Sequence, residues 1–223
     1  MFGLVEALLL PLLRAWFHWH VEGAENIPKA GPAIVACNHV SYLDPLAIGY
    51  VVEGAGRRPR FLAKSELFAD RRLGWLLRAT GQIEVSRGTT RAALALERAH
   101  AALRAGEVVV IFPEGTVTTD PDLRPMAART GAVRLALTSQ ASVIPCALWG
   151  TANVWPKGSY RKSWGPRQDI LVRVGAPMRL EGDANSREQC RAAGQTLMEE
   201  IARLGAGLRP VVPDRRRPLG KTA

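Results

Sequence analysis

Val108-Val109-Val110-Ile111-Phe112-Pro113-Glu114-Gly115-Thr116 decides how this chain reads. Five successive apolar residues leave no polar face, which marks a strand buried on both sides, as in parallel sheets covered by helices. The run ends abruptly in a Pro-Glu-Gly turn. Upstream, residues 90–104 are an Ala/Leu-rich helix stopped near Gly106, and downstream a helix is predicted near 130–139. Helix, buried strand, turn and helix form the unit of an α/β domain.

The same alternation extends outward. Strands are predicted at Ala33–Cys37, Arg60–Lys64, Gln82–Val85, Ser142–Leu148 and Ile170–Val174. Helices are predicted to start near Pro45, to span 66–79 with a stop at Gly81, and to run from a Ser186/Gln189 capping box to about Leu204. The pattern predicts a largely parallel mixed sheet wrapped by helices. A proline inside the apolar run Val143–Ala147 predicts an edge or bulged strand at Pro145.

Residues 1–19 read as an amphipathic helix with Glu6, Arg14 and His18 on one side and Trp16, Phe17 and Trp19 at its polar end. Such a helix suits a membrane interface, or packs on the domain. The apolar run Ala7–Leu13, broken by Pro11, falls well short of the roughly 20 residues a bilayer span needs. No basic region precedes it, so a secretory signal is not expected. The tail from Arg209 is basic and proline-containing and is expected to be disordered.

The formal net charge of +10 calls for an anionic partner: nucleic acid, anionic lipid or a phosphorylated substrate. The basic residues are scattered and no nucleic-acid motif is present, so a nucleic acid is not the expected partner. Cys37, Cys146 and Cys190 show neither metal-ligand nor redox spacing and read as core residues.

Four blocks fall at predicted strand ends, where open α/β sheets place their sites. In Asn38-His39-Val40-Ser41-Tyr42-Leu43-Asp44, a turn can bring His39 and Asp44 together as a dyad, in which Asp44 fixes the imidazole tautomer and His39 removes a proton. Equally, Asp44 followed by Pro45 fits a helix cap, and His39 a turn residue. Arg87 follows the strand at Gln82–Val85 and has the chemistry to hold a phosphate. The turn after Phe112 exposes main-chain N–H groups beside Thr116, suited to an anionic or hydroxylic ligand. Pro145, in the fourth block, shapes a pocket at most.

Taken together, His39 with Asp44, Gly81-Gln82-Ile83-Glu84-Val85-Ser86-Arg87, Phe112–Thr116 and Val143-Ile144-Pro145 resemble, in order and separation, the four motifs of the glycerolipid acyltransferase superfamily, above all its bacterial 1-acylglycerol-3-phosphate acyltransferases. The resemblance covers about residues 30 to 177. It implies a helix-wrapped α/β fold of the glycerol-3-phosphate acyltransferase type with an N-terminal interfacial helix. It also implies transfer of a fatty-acyl group from an acyl thioester, acyl-CoA or acyl-carrier protein, to a lysophospholipid such as 1-acylglycerol 3-phosphate. His39 would be the base and Asp44 its orienting partner. Asn38, Lys64, Arg87, Glu114, Gly115 and Thr116 would meet substrate, and Pro113 and Pro145 would shape the site. No metal or prosthetic group is implied. Residues 1–28 would associate with the cytoplasmic face of the cell membrane, 29–207 would form the catalytic domain and 208–223 a basic tail. One departure stands out. Many relatives carry Arg-Ser after the threonine, where this chain has Val117 and Thr118. That keeps glycerol 3-phosphate and glycolipids open as acceptors beside lysophosphatidate, with a non-catalytic lipid-binding module as the rival of another class.

Overall fold

The structure, a computed structural model, describes residues 10–86, 91–139, 141–158 and 168–208. Residues 1–9, Arg87 and the basic tail from residue 209 lie outside the described residues. In chain order the elements are α1 over residues 10–16, β1 (Phe17–Glu22), β2 (Ala33–Cys37), α2 (Asp44–Gly54), β3 (Pro59–Lys64), α3 (Ser65–Ala69), α4 (Arg71–Ala79), β4 (Ile83–Val85), α5 (Arg91–Arg104), β5 (Val108–Ile111), α6 (Thr130–Ser139), β6 (Ser142–Trp149), α7 (Thr151–Val154), β7 (Gln168–Val174) and α8 (Arg187–Ala206). The sheet order is β1-β7-β6-β2-β5-β3-β4. Every neighbouring pair is parallel except β6 with β7. The expected mixed, largely parallel sheet is therefore present, and β2, β3, β5 and β6 end at one common rim.

The central strands are buried on both faces, as the run at Val108 required. Ala33, Val35, Val108, Val110 and Ile144 pack with Ala47, Ile48, Val51 and Val52 of α2 on one side. Ile34, Ala36, Val109, Ile111 and Val143 pack against α5, α6 and α8 through Ala99, Leu135, Leu197 and Ile201 on the other. Each Val, Leu or Ile so buried contributes about 1.5–3 kcal/mol, which makes this doubly covered sheet a rigid base for the loops at its rim.

Four expectations need correction. The N-terminal helix stops at residue 16, and Phe17–Glu22 is an edge strand parallel to β7. Its alternation explains this: Phe17, Trp19 and Val21 turn toward the core while His18, His20 and Glu22 face out. Two of the three aromatics expected at a membrane interface are thus used by the domain. Phe17 is buried, and Trp19 stacks on Tyr50 at 4.0 Å and donates its indole N–H to the Leu13 carbonyl. The helix expected over 66–79 is broken at Asp70, whose carboxylate caps α4 by accepting from the N–H groups of Arg72 and Leu73. Gly74 allows the tight return, because a Cβ there would lie 2.2 Å from the Phe68 carbonyl oxygen.

The capping box at α8 is only half formed. Ser186 Oγ accepts from Gln189 N, but the Gln189 side chain accepts from Asp183 N instead of reaching back to Ser186. Finally, Pro145 lies on an interior strand, not an edge. The other half of that expectation, a bulge, is what accommodates it. Cys146 pairs with Val174, whereas Val143 bridges Met178, so one extra residue is inserted on the partner side around Gly175. Gly175 N donates to the Pro145 carbonyl, so the missing donor of Pro145 faces this bulge rather than β2. Among the described residues no helix is long and apolar enough to cross a membrane.

Candidate active site

Where β2 ends, the chain leaves the sheet without breaking its pairing. The Asn38 side chain donates to the Leu148 carbonyl at 3.0 Å and accepts from Leu148 N at 2.8 Å, imitating one more ladder pair. Asn38 is 6 % exposed, so this expected substrate contact is engaged in holding the loop to β6.

The loop then folds around Asp44. The carboxylate is fully buried, and its Oδ2 accepts from the main-chain N–H groups of Val40 at 2.6 Å and Ser41 at 2.8 Å and from His39 Nδ1 at 2.8 Å. Its Oδ1 accepts the Thr151 hydroxyl at 2.6 Å. A buried carboxylate without partners would be costly, and these four donors satisfy it. The cap reading fails here. Leu43 occupies the N-cap position, and the Asp44 side chain turns back into the preceding loop instead of forward onto α2. Because Asp44 is engaged with Nδ1, the proton of a neutral His39 sits on that nitrogen and Nε2 keeps its lone pair. The ring is 15 % exposed and stacks on Phe112 at 4.2 Å, which fixes its plane.

The turn after β5 closes on the same loop. Glu114 Oε1 accepts His39 N at 2.7 Å, and Oε2 accepts Met126 N at 3.0 Å. The side chain is 1 % exposed. Burial pushes its carboxyl above the ordinary value, with the Met126 and His39 N–H groups opposing the shift. Glu114 was expected to meet the acceptor; the structure instead engages both its oxygens with main chain, as a brace between two loops. Gly115, at φ 72°, makes the turn possible by donating its N–H to the Phe112 carbonyl. Thr118 N donates to the His39 carbonyl at 2.7 Å, so the two loops are tied at both ends of Gly115. Pro113 is buried and accepts Arg129 N at 2.8 Å. Thr116 is half-buried.

The remaining expected residues lie outside this packed unit. Lys64, the last residue of β3, is exposed at the same rim. Arg87 is outside the described residues. The position where relatives have arginine is the buried Val117, 3 % exposed. The next two arginines along the chain, Arg124 and Arg129, are not drawn in to replace that arginine. Arg124 is 68 % exposed and pairs with Asp122 at 3.1 Å, and the Arg129 side chain is exposed.

Sequence reasoning missed Thr151 and the segment after it. Besides the Thr151 bond to Asp44, the Ser41 hydroxyl sits 3.0 Å from the Thr151 carbonyl and 2.6 Å from the Trp155 carbonyl, and Ser41 bridges Pro156. The one available signal was Gly150-Thr151 directly after an apolar strand. Gly150 has φ 95°, and a Cβ there would meet the Asp169 carbonyl oxygen at 2.1 Å. The cysteines supply no nucleophile. All three are buried; burial holds the Cys37 thiol well above its ordinary range and pushes Cys146 up to about 12. Among the described residues no group of His, Cys, Asp and Glu is placed to hold a metal ion.

Against known proteins, the family described as Acyltransferase matches residues 18–149. The chain is 32 % identical over 142 residues to the chloroplastic 1-acyl-sn-glycerol-3-phosphate acyltransferase LPAT1 of Arabidopsis thaliana, covering 63 % of this chain and 38 % of that one. It is 34 % identical over 138 residues to the 1-acyl-sn-glycerol-3-phosphate acyltransferase of Borreliella burgdorferi, covering 61 % of this chain and 53 % of that one. The crystal structure of the 1-acyl-sn-glycerophosphate acyltransferase PlsC from Thermotoga maritima superposes with a TM-score of 0.70 at 27 % identity, covering 94 % of this chain and 79 % of that one. This chain thus spans about two fifths to one half of the length of the curated relatives it matches.

Proposed function

This chain belongs to the Acyltransferase family, and from that premise we propose that it transfers a fatty-acyl group from an acyl thioester to the hydroxyl of a lysophospholipid, 1-acylglycerol 3-phosphate, to give phosphatidic acid. The observation that carries this reading is His39 held through Nδ1 by the buried Asp44, with Nε2 left for an incoming hydroxyl. The nucleophile is the acceptor's own oxygen. It attacks the thioester carbonyl as His39 Nε2 takes its proton; the new C–O bond forms, the C–S bond breaks, and the imidazolium returns the proton to the departing thiolate. Asp44 stabilises the imidazolium between these steps. No acyl-enzyme, metal or prosthetic group enters this scheme. The thioester carrier is coenzyme A or an acyl-carrier protein. Glycerol 3-phosphate and glycolipids are the alternative acceptors, because Val117 leaves the site without the arginine many relatives have.

Docking on the cytoplasmic face of a membrane, peripherally, is part of the same proposal. Since β1 runs opposite to β2, α1 leads into the His39 end of the sheet. The exposed apolar side chains Leu12, Trp16, Tyr42 and Leu67 belong to segments at that end. Apolar groups around a basic rim suit an anionic lipid surface and would let acyl chains enter without crossing water.

The test is thiol release from a long-chain acyl-CoA with and without lysophosphatidate, in the wild type and His39→Ala. Acceptor-dependent release is expected to fall by about 10²- to 10⁴-fold in the variant. A folded His39→Ala protein with near-normal transfer would sink the assignment of the base, and a wild type inert toward every acceptor and donor named above would favour a lipid-binding module.

A further inference from the structure

Lys157 occupies an unusual position. Its ammonium donates to the Val117 carbonyl at 2.8 Å, and no ion pair with a carboxylate engages it among the described residues. Both segments it joins are pinned to the catalytic loop. On one side, Thr118 N, in the same peptide unit as that carbonyl, donates to the His39 carbonyl at 2.7 Å. On the other, Pro156 bridges Ser41, and the Trp155 ring packs edge-on against Tyr42 at 5.7 Å. Chaining these contacts through standard peptide dimensions puts the ammonium no more than about 8 Å from the His39 carbonyl oxygen. An ammonium has three N–H donors, and a single carbonyl accepts one of them. Lys157 thus brings to the segment beside the His39 loop a positive charge that no carboxylate pairs among the described residues, next to a position whose own side chain, Val117, is apolar and buried.

On the reading given above, we infer that Lys157 is a specificity-determining residue that binds the phosphate of the acceptor. In 1-acylglycerol 3-phosphate the phosphoester is carried by the carbon next to the one bearing the reacting hydroxyl. A cation beside the loop that carries His39 therefore favours acceptors with that phosphate over uncharged ones. Coenzyme A also carries phosphates, and the experiment must separate the two sources.

Lys157→Gln removes the charge but keeps an N–H donor for the Val117 carbonyl, and Lys157→Arg restores the charge. Two readouts are measured for each: the KM for acceptor and for acyl-CoA, and direct calorimetric binding of a short-chain 1-acylglycerol 3-phosphate and of the uncharged 1-acylglycerol. With Lys157→Gln, KM and Kd for the phosphate-bearing acceptor are expected to rise about 10- to 100-fold, with kcat, donor KM and binding of uncharged 1-acylglycerol held within a few-fold. Lys157→Arg should recover most of the loss. Equal weakening of both acceptors, a rise confined to the donor, or no change would overturn the inference. The binding arm stands without turnover, so a wild type that binds the phosphate through Lys157 yet transfers nothing would refute the proposed reaction and not this site.

Discussion

Asp44 and Arg124 are both charged and belong to neighbouring loops, yet they are held very differently. The Asp44 carboxylate is fully buried and accepts four hydrogen bonds, from three residues of its own loop and from Thr151. Arg124 is 68 % exposed, with an ion pair to Asp122 at the surface. The contrast runs through the whole site. Asn38, Asp44, Glu114 and Thr151 form an interior in which every charged or amide group is answered by main chain or by another side chain. Lys64, Arg124, Arg129 and Lys157 form a rim of exposed side chains. The interior is over-determined because a buried polar group left unpaired costs more than a paired one contributes. The rim is under no such constraint, so it can move to meet a substrate. On the proposed reaction, geometry for proton transfer would be built in advance, and recognition of the acceptor would be left to side chains with freedom to adjust.

If this division holds, substitutions inside should affect kcat or stability, and substitutions on the rim should affect KM. The largest effect is expected from Asp44→Asn. It removes the charge that steadies the imidazolium and turns an N–H donor toward existing donors, so kcat should fall by about 10³-fold. Steady-state thiol release on protein shown to be folded by circular dichroism checks this; a change in KM alone would break the comparison.

Glu114→Gln comes next. Gln has one oxygen for two main-chain donors, so His39 N or Met126 N loses its acceptor, at a cost of about 1–3 kcal/mol. The pH dependence has a definite sign. Burial raises the folded-state value of Glu114 above its ordinary 4.5, so the folded protein holds that proton more tightly than the unfolded chain. The resulting stabilisation is present below the ordinary value and is lost as pH rises through the raised one. The wild type's margin over Glu114→Gln should therefore narrow across that window in urea melts, and a widening margin would contradict the assignment.

The smallest effect is expected at Lys64. An exposed cation on a strand end contributes no more than about 1 kcal/mol, so Lys64→Ala should raise acceptor KM by less than about fivefold and leave kcat alone. A loss of kcat there would show that the rim is not separable from the interior.

Part of this is legible in the amino-acid sequence. Val108–Ile111 predicted a doubly covered strand, and it is buried along its whole length. Pro145 is half legible: its missing N–H calls for an edge or a bulge, and the bulge is there, but Pro145 lies on an interior strand and the extra residue is on the partner side around Gly175. The places where the reading failed share a cause. Phe17–Glu22 alternates apolar and polar residues, but the aromatics at its start also extend the helical pattern before it, and the strand is settled by the edge that β7 offers 151 residues later. Asp44 fits a helix cap locally, and what turns it into a partner for His39 is the enclosure of the loop by Thr151, 107 residues away.

Sequence by itself determined the fold class and the order of the motifs, because periodicity and proline and glycine placement act over a few residues, and it left His39 and Asp44 open between a dyad and a helix cap until the resemblance of the four motifs favoured the dyad. Only the tertiary structure decided that Glu114 and Asn38 brace the site, that Val117 is buried, and that Thr151 closes on Asp44. Those outcomes depend on which distant segments meet once the two apolar faces of the sheet are covered, and no local pattern encodes the desolvation and hydrogen-bond pairing that this meeting imposes.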